Sequence, residues 1–388
     1  MLASLTEEQA LIQGSALDWL AGNYSFIDRQ TSVHRDGGSP AAWAAFAELG
    51  WLGLTLPEET GGSGLGQVEA GLLMQAFGRH LVVEPFHACV LQAARLLELS
   101  GSPAQKQEWL PRVAAAELRL ALAHAEPGDV LPWEQRRTIA TQVGDGWQIK
   151  GTKQLATGAP DADMLIVSAR LAAGDSELLF MVDPGHHGVR VEPYDTGDGA
   201  RAADIHLDAA LPAEALLGNG TPEQATDVLH RVLAEGIVAH CWQATGAMQA
   251  VLEQTMQYTQ QRKQFGQSLS SFQVVQHRLA EMAVLCVEAQ ACCELAAMRM
   301  KSEPAQARNF AAMARSKTAR AARFVSQEAV QLHGAMGVCE ELPVAATFRM
   351  LLAFMQMDGD GASHAEDLGR KVLASGAFNH SQTLGATQ

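Results

Sequence analysis

The sequence predicts a mostly helical α+β chain: a helical domain over residues 1–117, an antiparallel β domain over 118–221 and a helical bundle over 222–388. Three observations predict it. Apolar residues recur at helical spacing through the last third, short partly alternating runs fill the middle, and helix starts with apolar faces fill the first third. At roughly 150 residues per domain, 388 residues make two or three domains with ample length to bury a core.

In the first third, Thr6 ahead of Glu7, Glu8 and Gln9 reads as a helix start, Pro40 to Leu49 continues with an apolar face, and Ala88 to Leu99 forms another helix. Between them the glycines of Gly50 to Gly66 fail the G-x-G-x-x-G spacing and follow no strand, so they predict a loop with positive-φ positions, not a dinucleotide fingerprint. The strands of the middle third are Trp147 to Lys150, Met164 to Ser168, Leu178 to Val182, Gly188 to Val191 and Ala203 to Leu207. Clusters of Gly, Asp and Pro separate them, and no long helix interrupts them. In the last third, Leu229, Val232, Leu233, Ile237, Cys241, Met248, Leu252 and Met256 mark one helix, and Phe272, Val275, Leu279, Met282 and Cys286 a second. A short polar turn at Gly266 to Ser271 joins them as a hairpin inside a bundle.

Composition narrows the function. With 28 Lys and Arg against 43 Asp and Glu, the net charge of −15 argues against nucleic acid or an anionic membrane as the main partner. No run of about 18 uncharged apolar residues and no leader pattern occurs, which predicts a cytoplasmic protein. The six cysteines show no C-x-x-C spacing and read as core residues in a reducing compartment. His333, His186 and His187 lack companions at metal-ligand spacing, and no G-x-S-x-G occurs.

The hairpin turn concentrates unusual chemistry: Arg262, Lys263, Gln264 and Phe265 bring cations, an amide and an aromatic face to one helix end, a set suited to a diphosphate and an aromatic ring. The segment R-K-Q-F-G followed by F-Q-x-x-Q-x-x-L-A-x-M is similar to the signature of the acyl-CoA dehydrogenase flavoproteins. The helical, β, helical order resembles that family over nearly the whole chain. The resemblance implies an N-terminal helical domain, a middle β barrel and a C-terminal four-helix bundle, with FAD shared across a subunit interface.

Two middle-domain segments carry further likeness. Ala121 to Val130 resembles the strand ending in T-E-P, with Glu126 and Pro127 matching and Ala125 in place of Thr. Gly151 to Arg170 resembles G-x-K-x-W-I-T-N, with Lys153 and Thr157 matching, Leu155 replacing the Trp that stacks on flavin and Gly158 the Asn. In the last third, Gln331, Gly334 and Gly337 match Q-x-x-G-x-x-G. The resemblance thus implies cofactor contacts from Arg262, Gln264, Phe265, Gln273, Gln331, Gly334, Ala335, Thr157 and His124.

The implied reaction is α,β-dehydrogenation of an acyl-CoA, in which a carboxylate takes the α proton and flavin the β hydride. Counting from Gln331 to the family's catalytic Glu lands on Asp358 in MQMDGDGASH, one methylene shorter. Some family members place the base on the helix before the R-K-Q-F-G turn, at about Gly236 here, with Glu235 adjacent. The plain reading of Asp358 and Asp360 is a Gly-rich turn or helix cap. A-H-x-E-P at Ala123 to Pro127, V-Q-L-H-G at Val330 to Gly334 and the Gly359-Asp360 pair resemble a bacterial subgroup that includes the pimeloyl-CoA dehydrogenase small subunit and steroid side-chain dehydrogenases. The implied partners are an acyl-CoA, an electron-transferring flavoprotein, and either copies of this chain or a related subunit in a heterotetramer. Two further readings stay open: a non-catalytic or half-site partner subunit, and an acyl-CoA-binding scaffold without flavin.

Overall fold

The computed structural model describes residues 5–36 and 38–375, with side chains at 34–36 outside that description. The chain opens with α1 (Glu7–Asn23), α2 (Phe26–Asp36), α3 (Pro40–Glu48) and α4 (Gln67–His80). A π-helical stretch, His87–Ala94, then runs into α5 (Arg95–Ser100), and α6 (Pro103–Ala114) closes the set. Thr6 caps α1 as its spacing predicts: its hydroxyl accepts from Gln9 N while the Gln9 side chain accepts from Thr6 N, satisfying two end groups at once. Gly50 and Gly61 adopt φ of 74° and 84°, the left-handed backbone expected of that loop.

Seven strands form one sheet: β1 (Leu120–Ala123), β2 (Ile139–Val143), β3 (Gly146–Thr157), β4 (Met164–Leu171), β5 (Glu177–Val182), β6 (Val189–Asp195) and β7 (Arg201–Leu211). Their order is β1-β4-β2-β3-β7-β6, with β5 on the other edge of β4. The expectation of an antiparallel domain holds for four of the six pairings in this sheet and is corrected for β1 and β2, which lie end to end along β4 and both run parallel to it. Alternation reveals which face of a strand is buried but not its direction, which the long excursion between β1 and β2 decides. β2, with one buried residue in five, carries too little apolar signal to stand out.

The bundle contains α7 (Pro222–Gln261), α8 (Gln273–Ser302), α9 (Ala307–His333) and α10 (Pro343–Gln356), with α11 (Gly361–Ala374) laid against α9. At 40 residues, α7 is about 60 Å long and packs on α4 as well as on α8, α9 and α10, so it ties the N-terminal helices to the bundle. Bare backbone permits that crossing: a Cβ on Gly246 would lie 1.9 Å from the Gln75 carbonyl oxygen, and one on Gly78 1.8 Å from that of Gln243. Gly246→Ala is expected to force the helices apart at a cost of about 1–3 kcal/mol, read as a lowered midpoint in denaturant unfolding. An unchanged midpoint would mean that the crossing relaxes freely.

Candidate active site

Two clefts, of about 700 and 840 Å³, share the wall residues His87, Thr157, His240 and Met357. The first lies between the N-terminal helical domain, which contributes Arg29 and Glu84, and the bundle, which contributes Gln243 and Phe354. The second lies between the β domain and the bundle, with His124, Ala125, Gln154, Leu155 and Ala156 on one side and Asp358 and Gly359 on the other.

The turn after α10 aims Asp358. Asp358 and Gly359 both have positive φ, 53° and 85°, a conformation Asp tolerates better than most residues. Only glycine fits at 359, since a Cβ would meet the Val130 carbonyl oxygen at 2.8 Å. Arg315 on α9, fully buried, donates to the carbonyls of Phe354, Met357 and Gly359 and so fixes the turn from beneath. Asp360 caps α11 through Ser363 N at 2.7 Å, which gives that carboxylate the structural role of a cap. Asp358 instead faces the second cleft, where its Oδ2 accepts from His240 Nδ1 at 2.9 Å. Burial opposes its ionisation, but the His240 hydrogen bond and the nearby Arg315 guanidinium hold its carboxyl well below the usual carboxylate range.

His240 is stacked on His87, ring centroids 3.4 Å apart and planes inclined by 17°. The π-helical stretch positions His87, and such insertions recur at functional sites. His87 Nε2 lies 2.9 Å from the Gly236 carbonyl oxygen, so that nitrogen carries the proton and donates. Burial first, then His240, push the pKa of His87 down to about 3, so it stays neutral beside its partner.

On the β side, Glu126 and Lys153 form a buried ion pair at 2.7 Å, both essentially without exposure. Glu126 also accepts from Thr138 N and Arg137 N, and Lys153 Nζ donates to the His124 carbonyl as well. Despite burial, Lys153 and these donors hold Glu126 at a pKa of about 2. Asp129 is drawn into the same network by Arg136 and Arg137. The His124 ring nitrogens are engaged by Ser168 Oγ at 2.8 Å and the Pro132 carbonyl at 2.5 Å. Thr157 lines both clefts, and its hydroxyl makes no hydrogen bond among the described residues. Leu155 takes φ 52° with its N–H bonded to Tyr194 and Asp204.

The remaining predicted residues gather elsewhere. Arg262, Gln264, Phe265, Gln273, Gln331, Gly334 and Ala335 are all exposed, Phe265 to 89 %. Tyr258 near the end of α7 stacks on His333 at the end of α9, which brings the R-K-Q-F-G turn and the Gln331 segment to one end of the bundle. Among the described residues, none of the seven lines either cleft.

Comparison with known proteins decides the family. Residues 6–117 match the acyl-CoA dehydrogenase N-terminal domain, 121–209 the middle domain and 226–373 the C-terminal domain. The chain belongs to the acyl-CoA dehydrogenase family. It is 28% identical over 328 residues to the mitochondrial short-chain specific acyl-CoA dehydrogenase of Bos taurus, covering 82% of this chain and 79% of that one. It is 27% identical over 370 residues to the isobutyryl-CoA dehydrogenase of Dictyostelium discoideum, covering 92% and 87%. A solved variant of the Tcur3481-Tcur3483 steroid ACAD superposes with a TM-score of 0.87 at 26% identity, covering 96% of this chain and 99% of that one. The ChsE4-ChsE5 complex from Mycobacterium tuberculosis shares the fold, with a TM-score of 0.86 at 24% identity, covering 95% and 98%.

The chain is therefore an oxidoreductase of an FAD-using family, and the second cleft fits an isoalloxazine edge. It offers the unengaged Thr157 hydroxyl and an apolar Leu155 and Ala156 floor. Among the described residues no helix is long and apolar enough to cross a membrane and no metal-binding cluster occurs. The cysteines are all free, four of them buried. Glu235 is held by Arg95, Arg231 and Gln67, which ties it into packing between helices. Sequence reasoning missed His87, His240 and Arg315. His87 and His240 sit in largely apolar helical stretches and Arg315 is one of several cations on α9, so only the three-dimensional approach of the His87–Ala94 stretch, α7, α9 and the 357–360 turn makes them a group.

Proposed function

We propose that this protein dehydrogenates an acyl-CoA thioester between its α and β carbons, using FAD bound in the cleft between the β domain and the bundle. The observation that carries the reading is the convergence of Asp358, His240 and Thr157 on that cleft. FAD, when bound, accepts the β hydride. Thr157 and the backbone near Ala125 would hold the ring, while the 358–240 pair receives the α proton. The adjoining cleft, lined by Leu81, Val82 and Leu351, accommodates the acyl chain. An electron-transferring flavoprotein then reoxidises the enzyme in the cytoplasm.

Arg262, Gln264, Phe265, Gln273 and the segment Gln331 to Ala335 serve the flavin of a neighbouring subunit, since they project from one end of the bundle away from this chain's own clefts. That placement also favours a second reading, in which the chain is a half-site subunit of a heterotetramer, as its subgroup motifs suggest.

The test is the visible spectrum of the purified chain together with its size. Bound flavin that bleaches anaerobically with an acyl-CoA supports an independent dehydrogenase, whereas a colourless, folded oligomer supports the half-site reading. Arg262→Ala is expected to lower FAD occupancy at least tenfold with little change in melting of the apoprotein. Full occupancy in that variant would remove the shared-site assignment.

A further inference from the structure

We infer that His240, with Asp358 as its positioning carboxylate, is the base that removes the substrate's α proton, an inference that rests on the acyl-CoA dehydrogenase reading above. Three observations carry it. First, Asp358 Oδ2 sits 2.9 Å from His240 Nδ1, so the proton on Nδ1 points at the carboxylate and the lone pair resides on Nε2. Second, Nε2 has no hydrogen-bond partner among the described residues, and the ring lines both clefts, whereas Asp358 lines one. Third, the imidazole is locked: stacked on His87, whose own Nε2 is committed to the Gly236 carbonyl, it keeps one face and one tautomer.

The division of labour follows from geometry: Asp358 is engaged by His240 Nδ1, and His240 Nε2 is left free. A carboxylate already hydrogen-bonded to an imidazole and close to Arg315 is a weak proton acceptor, and its depressed pKa supports that. The His240 imidazole instead presents an unengaged Nε2 to the clefts, and the charge it acquires on taking the proton lies beside the Asp358 carboxylate. In the step, the α C–H bond breaks, its electron pair moves into the thioester as an enolate, and the proton bonds to His240 Nε2. The β hydride then leaves to FAD, the oxidant of the proposed reaction. The one-methylene deficit of Asp358 is thereby bridged, since the imidazole extends the reach of the shorter carboxylate.

The test follows the exchange of α hydrogens with D₂O, by mass spectrometry, for butyryl-CoA and isobutyryl-CoA with the FAD-loaded protein, alongside binding of each thioester. H240N is the informative variant, because the Asn amide replaces the Nδ1–H donor to Asp358 but deletes Nε2. Exchange is expected to fall at least 100-fold with thioester affinity and FAD absorbance retained, while D358N loses about tenfold. Exchange by H240N within threefold of wild type, or its survival while D358N abolishes it, overturns the assignment. Should H240N not fold, H240A with added imidazole carries the same test: rescue supports the base, and no rescue with intact thioester binding refutes it. A wild type that neither bleaches nor exchanges with either thioester sinks the dehydrogenase reading itself and this inference with it. Bleaching by wild type with undiminished exchange in H240N sinks this inference alone.

Discussion

Lys153→Met is expected to destabilise the β domain by about 3–5 kcal/mol, the cost of leaving a buried carboxylate without its cation. Lys153 is fully buried, and its ammonium bonds Glu126 at 2.7 Å and the His124 carbonyl at 3.1 Å. Burial alone lowers its pKa, and the Glu126 charge works against that, so each ion keeps the other ionised. Removing one partner exposes the desolvation cost of the other, whereas neutralising both largely cancels it. The double variant K153M/E126Q should therefore regain more than half of the loss, since the amide oxygen introduced at position 126 can still accept from the Thr138 N–H. Scanning calorimetry reads this as a lowered Tm for the single variant. A double variant no better than K153M would show that the ion pair is not the source.

Acidification from pH 7 to 4 is expected to lower stability steeply, with buried histidines as the main cause. Burial, then the Arg308 charge, push His230 down to about 4, and burial then His240 push His87 to about 3. His124, buried beside Arg136 and Lys153, is also held well below its usual value. The unfolded chain takes up these protons near pH 6.5, while the folded protein resists them until pH 4 or lower. The unfolded state thus binds more protons in that window, and stability falls as pH falls through it. For His230 alone the shift amounts to about 3 kcal/mol when fully realised. Glu177 and Glu84 act in the opposite sense: burial raises the pKa of Glu177 to about 7 and lifts that of Glu84 above its ordinary value, so their protonation favours the folded state. Three histidines, with Glu126 and Asp358 losing their charges at still lower pH, outweigh those two carboxyls. Tm measured at pH 7, 5.5 and 4.5 should decline at each step, and H230Q should decline less. A flat profile would mean that these rings are hydrated in solution.

Much of this was legible in the sequence because it depends on local periodicity. The capping box at Thr6, the positive-φ glycines of the 50–66 loop, the helices of the last third and the cores of β3 to β7 follow from spacing and turn chemistry that neighbouring residues fix among themselves. The motif at Arg262 to Gly266 and the count from Gln331 to Asp358 likewise needed only sequence order. Strand direction did not, since β1 and β2 take theirs from how the chain returns to β4.

The site divides along the same line. The sequence by itself determined that a carboxylate would stand at 358 and that a cation-rich turn would end α7. Only the tertiary structure decided that His240, His87 and Asp358 meet, that Arg315 fixes the turn that brings them together, and that the Arg262 and Gln331 segments share the far end of the bundle. The physical reason is distance along the chain. The pair His240 and Asp358 is separated by 118 residues, and its 2.9 Å contact exists only once α7, α9 and α10 are packed. No local propensity or spacing encodes such a contact, because it is the packing of distant helices that sets it.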